Sequence, residues 1–188
     1  MKTRRATADD AAAIASIYAP YVRASVVSFE TEAPGAAEMR TRIAETNSVF
    51  PWLIAETEGQ IAGYAYASTH ASRAAYRWSA NVSIYLDAAH RRQGLGKQLY
   101  SALFAVLRRQ GYRNLYGGIT LPNPASVALH RAMGMSEVGV YRNVGFKLGK
   151  WHDVLWLGLS LPDDRVPNGP PIPIDALPPG ALAALLRA

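Results

Sequence analysis

One stretch decides the fold: Val82-Ser83-Ile84-Tyr85-Leu86-Asp87-Ala88-Ala89-His90-Arg91-Arg92-Gln93-Gly94-Leu95-Gly96-Lys97. Its apolar start predicts a strand over residues 80–86, because Val82, Ile84 and Leu86 fall on one face of an extended chain. Its end opens a helix over about residues 96–110, in which apolar side chains recur at helical spacing. The stripe of that helix is Leu99, Leu103, Val106 and Leu107.

The loop inside this stretch suits a pyrophosphate. Two glycines, at 94 and 96, allow close approach of the backbone, and the free amides of a helix N-terminus point at an anion. Positive charge comes from Arg91, Arg92 and Lys97. The spacing matches neither a Walker loop nor the three-glycine dinucleotide pattern. Taken alone, the motif is equally compatible with a glycine-softened helix start that carries solvated arginines.

The flanking sequence predicts further strands and helices on both sides. Upstream we expect a strand at 3–6, a helix at 11–22 capped by Asp9 or Asp10, a helix at 35–45, and a hairpin of strands 52–56 and 61–68 around Glu58-Gly59. Downstream we expect a strand at 115–120, a helix from Pro122-Asn123-Pro124 to Met133, and strands at 136–142 and 154–161. This order predicts an α/β fold, a mixed sheet with helices on both faces.

Composition narrows the class of protein. The chain has 188 residues, of which 49% are hydrophobic, and this predicts one domain at 1–161. Residues 162–188 contain seven of the twelve prolines and predict an extended tail that crosses the surface. The chain has no cysteine, which excludes disulfides, thiolate metal sites and a cysteine nucleophile; we predict no metal site and a cytoplasmic location.

Charge and hydropathy indicate which classes of binding partner to expect. No run approaches the ~20 apolar residues of a membrane span, so no membrane association is predicted. The net charge of +6 comes mainly from arginines scattered along the chain. A nucleic-acid platform needs a clustered basic stripe, so no nucleic-acid partner is predicted. A phosphate-rich cofactor accounts for part of the positive charge.

Two ordered motifs resemble a known superfamily. The loop 91–96 after its apolar strand resembles the acyl-CoA loop of the GNAT acetyltransferases, and residues 123–135 resemble that superfamily's second CoA-contacting segment. Segments 28–32, 51–56, 75–78 and 145–154 resemble the phosphinothricin N-acetyltransferase family, so that the resemblance covers nearly the whole chain. It implies a GNAT-type, mostly antiparallel sheet and a homodimer. It also implies acetyl transfer from acetyl-CoA to the amino group of glutamate-like amino acids such as phosphinothricin and methionine sulfoximine.

The resemblance also implies which residues contact the cofactor. The backbone of Ile84, Tyr85 and Leu86 is expected to pair with the pantetheine arm where two strands splay apart, and residues 93–98 to hold the pyrophosphate. Asn123 is expected to hydrogen-bond the cofactor at the start of the second helix; helix capping is the alternative, ranked second. The predicted cofactor residues are Ile84, Tyr85, Leu86, Arg91, Arg92, Gln93, Gly94, Leu95, Gly96, Lys97, Gln98, Asn123 and Ser126.

Proton transfer is assigned to two positions. An amine with a pKa of about 8–10 is mostly protonated at neutral pH, so a base or a water chain is useful. His130 is the predicted proton-transfer residue, because it follows Asn123 by seven residues on the CoA-contacting helix; the alternative is a packed helix histidine. Asn81 stands where the resembling family carries a glutamate regarded as the general base. Asparagine cannot accept a proton but can orient a water or the ammonium group.

Substrate residues are predicted around the loop before Asn81. Arg73, with Tyr76, is expected to bind a substrate carboxylate, and a solvated surface charge is the alternative for this arginine. Further lining candidates are Phe29, Glu30, Thr31 and Tyr141. For Trp151-His152-Asp153 we favour a histidine hydrogen-bonded in a tight turn over a catalytic dyad. Other functions kept open are a protein or polyamine N-acetyltransferase and a non-catalytic acyl-CoA-binding sensor.

Overall fold

A computed structural model describes residues 2–161 and 167–186. The strands are β1 (Lys2–Arg5), β2 (Trp52–Thr57), β3 (Gln60–Thr69), β4 (Ser79–Leu86), β5 (Asn114–Thr120), β6 (Ser136–Lys147) and β7 (Lys150–Ser160). The helices are α1 (Ala11–Arg23), α2 (Ala36–Thr46), α3 (Leu95–Gln110), α4 (Pro124–Ala132) and α5 (Pro179–Leu185). The predicted order of elements is confirmed as far as β7.

The seven strands form one sheet in the order β1-β2-β3-β4-β5-β7-β6. Every neighbouring pair is antiparallel except β4 and β5. This confirms the mixed, mostly antiparallel sheet. The β4–β5 pair is short, covering only Ser79–Asn81 opposite Asn114–Tyr116. Beyond Asn81 the two strands diverge, and we call the opening between them the β4–β5 cleft.

Helices cover both faces of the sheet, as predicted. On one face α1 and α2 bury Ile14, Met39 and Ile43 against Tyr64 of β3. On the other face α3 packs against the core of the sheet, and the whole predicted stripe Leu99, Leu103, Val106 and Leu107 is fully buried. Gly111 ends α3 in a left-handed conformation. The sheet, and with it the β4–β5 cleft, therefore lies between two helical layers, α1 and α2 on one face and α3 on the other.

The last two strands are longer than predicted. They continue toward each other and form a hairpin that turns at Leu148-Gly149, where the sequence predicted strands ending at 142 and beginning at 154. The pairing register shifts between Tyr141 and Gly145, and Asn143 has a positive φ of 49°. This irregularity interrupts the simple alternation on which strand prediction depends.

The N-cap of α1 is one of the two residues predicted for it, but its side chain has another role. Asp10 occupies the N-cap position, yet its side chain makes no capping hydrogen bond to α1. Instead both carboxylate oxygens accept from Arg4, at 2.8 Å each, and one of them accepts from the Thr7 amide at 2.7 Å. The Arg4 guanidinium holds the pKa of Asp10 below its usual value. The carboxylate thus ties β1 to the start of α1.

The predicted tail begins at Pro162, and its residues 162–166 and 187–188 lie outside the described part of the chain. Ile174 and Leu177 are buried beside Val106 of α3. The prediction of an extended tail is wrong for Pro179–Leu185, which form α5. Within residues 2–161 and 167–186, no helix has both the length and the apolar character needed to cross a membrane.

Candidate active site

The β4–β5 cleft gathers predicted site residues from two elements, β4 and α4. Ile84 and Tyr85 of β4 line it, and Asn123, Ser126 and His130 line it from the start and body of α4. The parallel ladder that would fill this space ends at Asn81. The divergence of β4 and β5 therefore leaves a groove, which β4 and α4 line.

The backbone of β4 directs hydrogen-bonding groups into the cleft at Ile84. Tyr85 lies opposite Tyr64 and Leu86 opposite Gly63 of β3, but the N–H and C=O groups of Leu86 bond Tyr21 of α1 and so point away from β3. There the Tyr21 hydroxyl donates to the Leu86 carbonyl oxygen at 2.6 Å, and the Leu86 amide donates to the Tyr21 oxygen at 3.2 Å. Because alternate residues of a strand point their N–H and C=O groups the same way, Ile84 faces the cleft like Leu86. The backbone groups of Ile84 therefore face the cleft, and the pantetheine contacts of residues 84–86 stay a prediction.

The two loop glycines have different structural roles. Gly94, which precedes α3, has a φ of 81°, and a Cβ there would meet nothing within 4 Å. Glycine is favoured at position 94 because the backbone there is left-handed, not because a side chain would lack space. Gly96 is buried, and a Cβ there would lie 3.0 Å from the Leu129 side chain. Gly96 therefore allows α3 to pack against α4, a different reason from the close cofactor approach predicted for it.

The charged part of the loop surrounds the start of α3. The first amide with an intrahelical partner here is that of Gln98, which donates to the Gly94 carbonyl at 3.2 Å. The preceding amides, at residues 95–97, belong to the helix N-terminus that attracts anions. Arg92 and Lys97 are exposed beside it, while the Arg91 guanidinium lies 5.2 Å from the centre of the Tyr21 ring. Gln93 donates from its side chain to the Ala89 carbonyl at 3.3 Å.

Asn123 caps helix α4. Its side-chain oxygen accepts from the Ser126 amide at 3.1 Å, so the capping alternative that the sequence ranked second is present. Pro124 follows at the first helical position, where its missing amide hydrogen costs nothing. Asn123 also lines the cleft, and the cap uses its side-chain oxygen rather than its amide nitrogen. A cofactor bond through that nitrogen stays a prediction.

His130 is buried and both of its ring nitrogens have partners. Nδ1 donates to the Ser126 carbonyl oxygen at 2.8 Å, since a carbonyl can only accept. Nε2 is then left as the acceptor for the Tyr100 hydroxyl, at 3.0 Å. Burial lowers the pKa of His130, an effect that the bond to Ser126 partly opposes. Burial also raises the pKa of Tyr100, so both groups are neutral near pH 7.

Space for the His130 ring comes from a glycine. A Cβ on Gly117 of β5 would lie 2.7 Å from Nε2 and 2.8 Å from Cδ2 of His130. Both distances are far inside ordinary van der Waals contact. The backbone of β5 thus fixes where the ring can lie.

Asn81 has a histidine partner that the sequence analysis did not find. Its side-chain oxygen lies 2.8 Å from Nδ1 of His70, and its amide nitrogen donates to the Thr69 carbonyl at 3.3 Å. His70 follows β3 directly, and β3 pairs with β4 so that Ser68 is opposite Asn81. The His70 ring stacks on Tyr116 at 4.4 Å between centres. The pair therefore stands at the point where the β4–β5 ladder ends.

Comparison with known proteins decides the family. A family model described as an acetyltransferase (GNAT) domain matches residues 3–156. The chain belongs to the GNAT acetyltransferase family. This GNAT acetyltransferase is 38% identical over 174 residues to phosphinothricin N-acetyltransferase of Streptomyces viridochromogenes, a match that covers 93% of each chain.

Two further comparisons extend this result. The GNAT acetyltransferase is 33% identical over 119 residues to the L-methionine sulfoximine/L-methionine sulfone acetyltransferase of Salmonella typhimurium, covering 63% of this chain and 70% of that protein. Its fold matches the crystal structure of a GNAT superfamily phosphinothricin acetyltransferase from Sinorhizobium meliloti in complex with AcCoA, with a TM-score of 0.81 and 37% identity. That match covers 85% of this chain and 87% of the other.

Part of the predicted substrate set of this GNAT acetyltransferase meets around His70. Tyr76 lies 6.1 Å from His70, and Trp156 of β7 lies 6.3 Å from it, measured between ring centres. Tyr141 joins the same group through Trp156, at 5.8 Å. We call His70, Tyr76, Tyr116, Tyr141 and Trp156 the aromatic wall. Arg73 is exposed in the same loop as Tyr76.

The other predicted substrate residues of the acetyltransferase have different surroundings. Glu30 forms a two-pronged ion pair with Arg42, at 2.7 and 2.9 Å, and accepts from the Tyr18 hydroxyl at 2.8 Å. The Arg42 guanidinium lowers the pKa of Glu30, so this carboxylate serves as a structural anchor. Phe29 lies over Gly145 of the β6–β7 hairpin, and Thr31 is exposed beside this segment. The structure does not bring Glu30 into the β4–β5 cleft.

Sequence reasoning missed two polar side chains of the site, His70 and Tyr100. Tyr100 lies one residue after Leu99 in the apolar stripe of α3 and is fully buried. A tyrosine hydroxyl among the buried apolar residues of a helix predicts that the core supplies it with a hydrogen-bond partner. His152 has the role we favoured, since its Nε2 bonds the Lys147 carbonyl at 3.0 Å in the hairpin.

Proposed function

We propose that this GNAT acetyltransferase takes its acetyl group from acetyl-CoA and transfers it to the amino group of a small amino acid of the phosphinothricin or methionine sulfoximine type. The observation that carries this proposal is the β4–β5 cleft, which opens between two layers of the fold beside the N-terminus of α3. The named relatives supply the substrate class by similarity.

The cleft suits the cofactor at both ends. Pantetheine is an extended amide chain, and the backbone of Ile84 offers it a strand edge. The start of α3, with Arg92 and Lys97 exposed beside it, suits the pyrophosphate. As the amine attacks the thioester carbonyl, negative charge develops on its oxygen. The Ile84 amide is the proposed donor to that oxygen.

The layer formed by α3 and α4 supports the leaving group. Because burial raises the pKa of Tyr100, its hydroxyl stays protonated. Its single hydrogen is donated to Nε2 of His130 in this structure, and it would have to turn from Nε2 to donate to the departing thiolate. His130 contacts this hydroxyl through Nε2, so the predicted role of His130 in proton transfer runs through Tyr100. The thiolate is finally neutralised by a proton from solvent.

Recognition of a carboxylate is assigned to Arg73. Arg73 is exposed and directly precedes the turn that carries Tyr76 of the aromatic wall. An arginine binds a carboxylate through two parallel hydrogen bonds. A polyamine would be repelled by the same charge.

The test is thiol release from acetyl-CoA across a panel of amines. Phosphinothricin, methionine sulfoximine and glutamate are compared with their decarboxylated analogues, with a polyamine and with a lysine-containing peptide. We expect the amino acids to be preferred, and Arg73→Ala to raise their KM far more than it changes acetyl-CoA affinity. Arg109→Ala, an equal charge change at the exposed far end of α3, is the control. Preference for the decarboxylated amines, the polyamine or the peptide would contradict the substrate class.

Assembly as a homodimer is part of the proposal. Within the described chain, the β6–β7 hairpin carries a group of exposed apolar side chains: Val138, Tyr141, Val144, Phe146, Leu148 and Trp151, each at least 50% exposed. Patches of this kind mark protein interfaces. Light scattering should give a dimer mass, and Trp151→Lys should give a monomer. Val49→Lys, at an exposed apolar side chain outside the hairpin, should leave the dimer intact; a wild-type monomer would refute the dimer.

We also propose a cytoplasmic location, because the acetyl-CoA that the reaction consumes is an intracellular metabolite. Cell fractionation tests this.

A further inference from the structure

The pairing of His70 with Asn81 fixes the tautomer of the histidine. The Asn81 amide nitrogen donates to the Thr69 carbonyl, so it is the side-chain oxygen that faces His70. An amide oxygen only accepts, and Nδ1 of His70 must therefore carry the proton. In the neutral ring the lone pair is then on Nε2, which has no hydrogen-bond partner among the residues that the structure describes.

The side of the sheet on which His70 lies is set by strand alternation. On β5, Leu115 and Ile119 face the α3 layer, and Gly117 between them faces His130. Tyr116 therefore points to the opposite face, where its ring stacks on His70. His70 and His130 thus stand on opposite faces of the sheet. His130 lines the β4–β5 cleft, whereas His70 lies beside Asn81, where the β4–β5 ladder ends.

The surroundings of His70 suit an amine. Tyr76, Tyr116 and Trp156 present aromatic rings around it, and such rings attract an ammonium group through their π faces. The titratable side chains in ring contact with His70 are Tyr76 and Tyr116. His70 is half-buried, whereas His130 is buried with both nitrogens occupied. Of the two histidines, His70 has the lone pair that can take a proton from an incoming ligand.

We propose that His70 is the catalytic base of this enzyme, accepting the amine proton on Nε2, and that Asn81 is the residue that positions it. This rests on the proposed acetyl transfer. An N–H bond of the ammonium group breaks and its proton goes to Nε2, leaving an imidazolium whose Nδ1–H is held by Asn81. The freed lone pair attacks the thioester carbon, the C–N bond forms and the C–S bond breaks. Solvent takes the second amine proton, and the imidazolium returns its proton to solvent.

The proposal is tested with pH profiles and chemical rescue. In the wild type, kcat/KM for methionine sulfoximine should rise with pH along an acidic limb of the profile, because a base accepts the amine proton only when it is itself unprotonated. His70→Ala should lower kcat by about 10²–10⁴-fold and remove this limb. Added imidazole should restore part of the lost rate. The affinity for CoA and the melting temperature report whether the variant is folded.

A second variant tests positioning with His70 in place. Asn81→Asp puts a carboxylate against Nδ1, which stabilises the imidazolium, so the limb of the pH profile should move to higher pH. An Asn81 that only fills space would leave the limb where it is, and that outcome would overturn the positioning role. The matched control is His152→Ala, in the β6–β7 hairpin away from the cleft, which should keep the wild-type profile.

The outcomes separate this proposal from the function on which it rests. A wild-type protein that releases no thiol in response to any amine overturns both. A wild type that turns over, with His70→Ala equally fast and with the same pH limb, overturns the role of His70 alone. Loss of the limb in His130→Gln but not in His70→Ala would assign the base to the α4 side.

Discussion

Replacing Gly117 by alanine tests whether the position of His130 matters for turnover. The added Cβ would lie 2.7 Å from Nε2 and 2.8 Å from Cδ2 of the ring, whereas ordinary contact begins at about 3.4 Å. The ring is tied at 2.8 Å to the Ser126 carbonyl and at 3.0 Å to the Tyr100 hydroxyl. A retreat of about 0.7 Å must therefore strain at least one of these bonds.

Two magnitudes follow for Gly117→Ala. Overpacking of a well-packed site costs about 1–3 kcal/mol, which for a domain of this size lowers the melting temperature by about 2–12 °C. If the Tyr100–His130 pair acts on the leaving group, kcat should fall by about 10²-fold, the low end for a positioned proton-transfer group. Affinity for CoA should change little, because the backbone of Ile84 and the start of α3 are untouched.

The assay combines thermal unfolding, thiol-release kinetics and CoA titration. Gly139→Ala is the matched control, since a Cβ at Gly139 of β6 would meet nothing within 4 Å. A variant that melts earlier but keeps the wild-type kcat would return His130 to a packing role. An unchanged melting temperature would refute the tight contact itself.

Three further perturbations have defined outcomes. Arg92→Ala should weaken CoA binding by about 2–5-fold at low salt and less at high salt, as for an exposed charge near a helix N-terminus, while Arg109→Ala should not; calorimetry at two salt concentrations decides. Because burial lowers the pKa of His130, its unfolded form binds more protons below about pH 6.5. The free energy of unfolding should then fall as pH drops below that value, and His130→Gln should flatten this part of the urea-denaturation profile. Asp10 has its pKa lowered by Arg4, so its stabilising contribution is present above about pH 4 and is lost as pH falls; equal acid sensitivity in Asp10→Asn would contradict this.

The elements of the fold were predictable because their signals are local. The alternation in β4 and the stripe of α3 lie in consecutive residues, and both are present as expected. The hairpin β6–β7 was predicted too short, because its register shift near Asn143 breaks the alternation. A sequence pattern reports faces of elements more reliably than the lengths of irregular strands.

The chemistry of the site depends on contacts that sequence patterns do not specify. His70 and Asn81 meet only because β3 and β4 pair in one register, and a shift of one residue would turn one side chain to the other face. Tyr100 and His130 are thirty residues apart and meet across two helices. Resemblance drew attention to Asn81 and His130, but their partners came from the folded geometry.

The central claim is that this protein moves an acetyl group from acetyl-CoA to an amino nitrogen. The most direct measurement incubates it with carbon-13-labelled acetyl-CoA and methionine sulfoximine, and follows both free thiol and the labelled product by NMR. We predict labelled N-acetyl product in amounts equal to the thiol released. Binding of CoA without turnover would make the protein an acyl-CoA sensor, and thiol release without labelled product would mean hydrolysis; either result would contradict the claim.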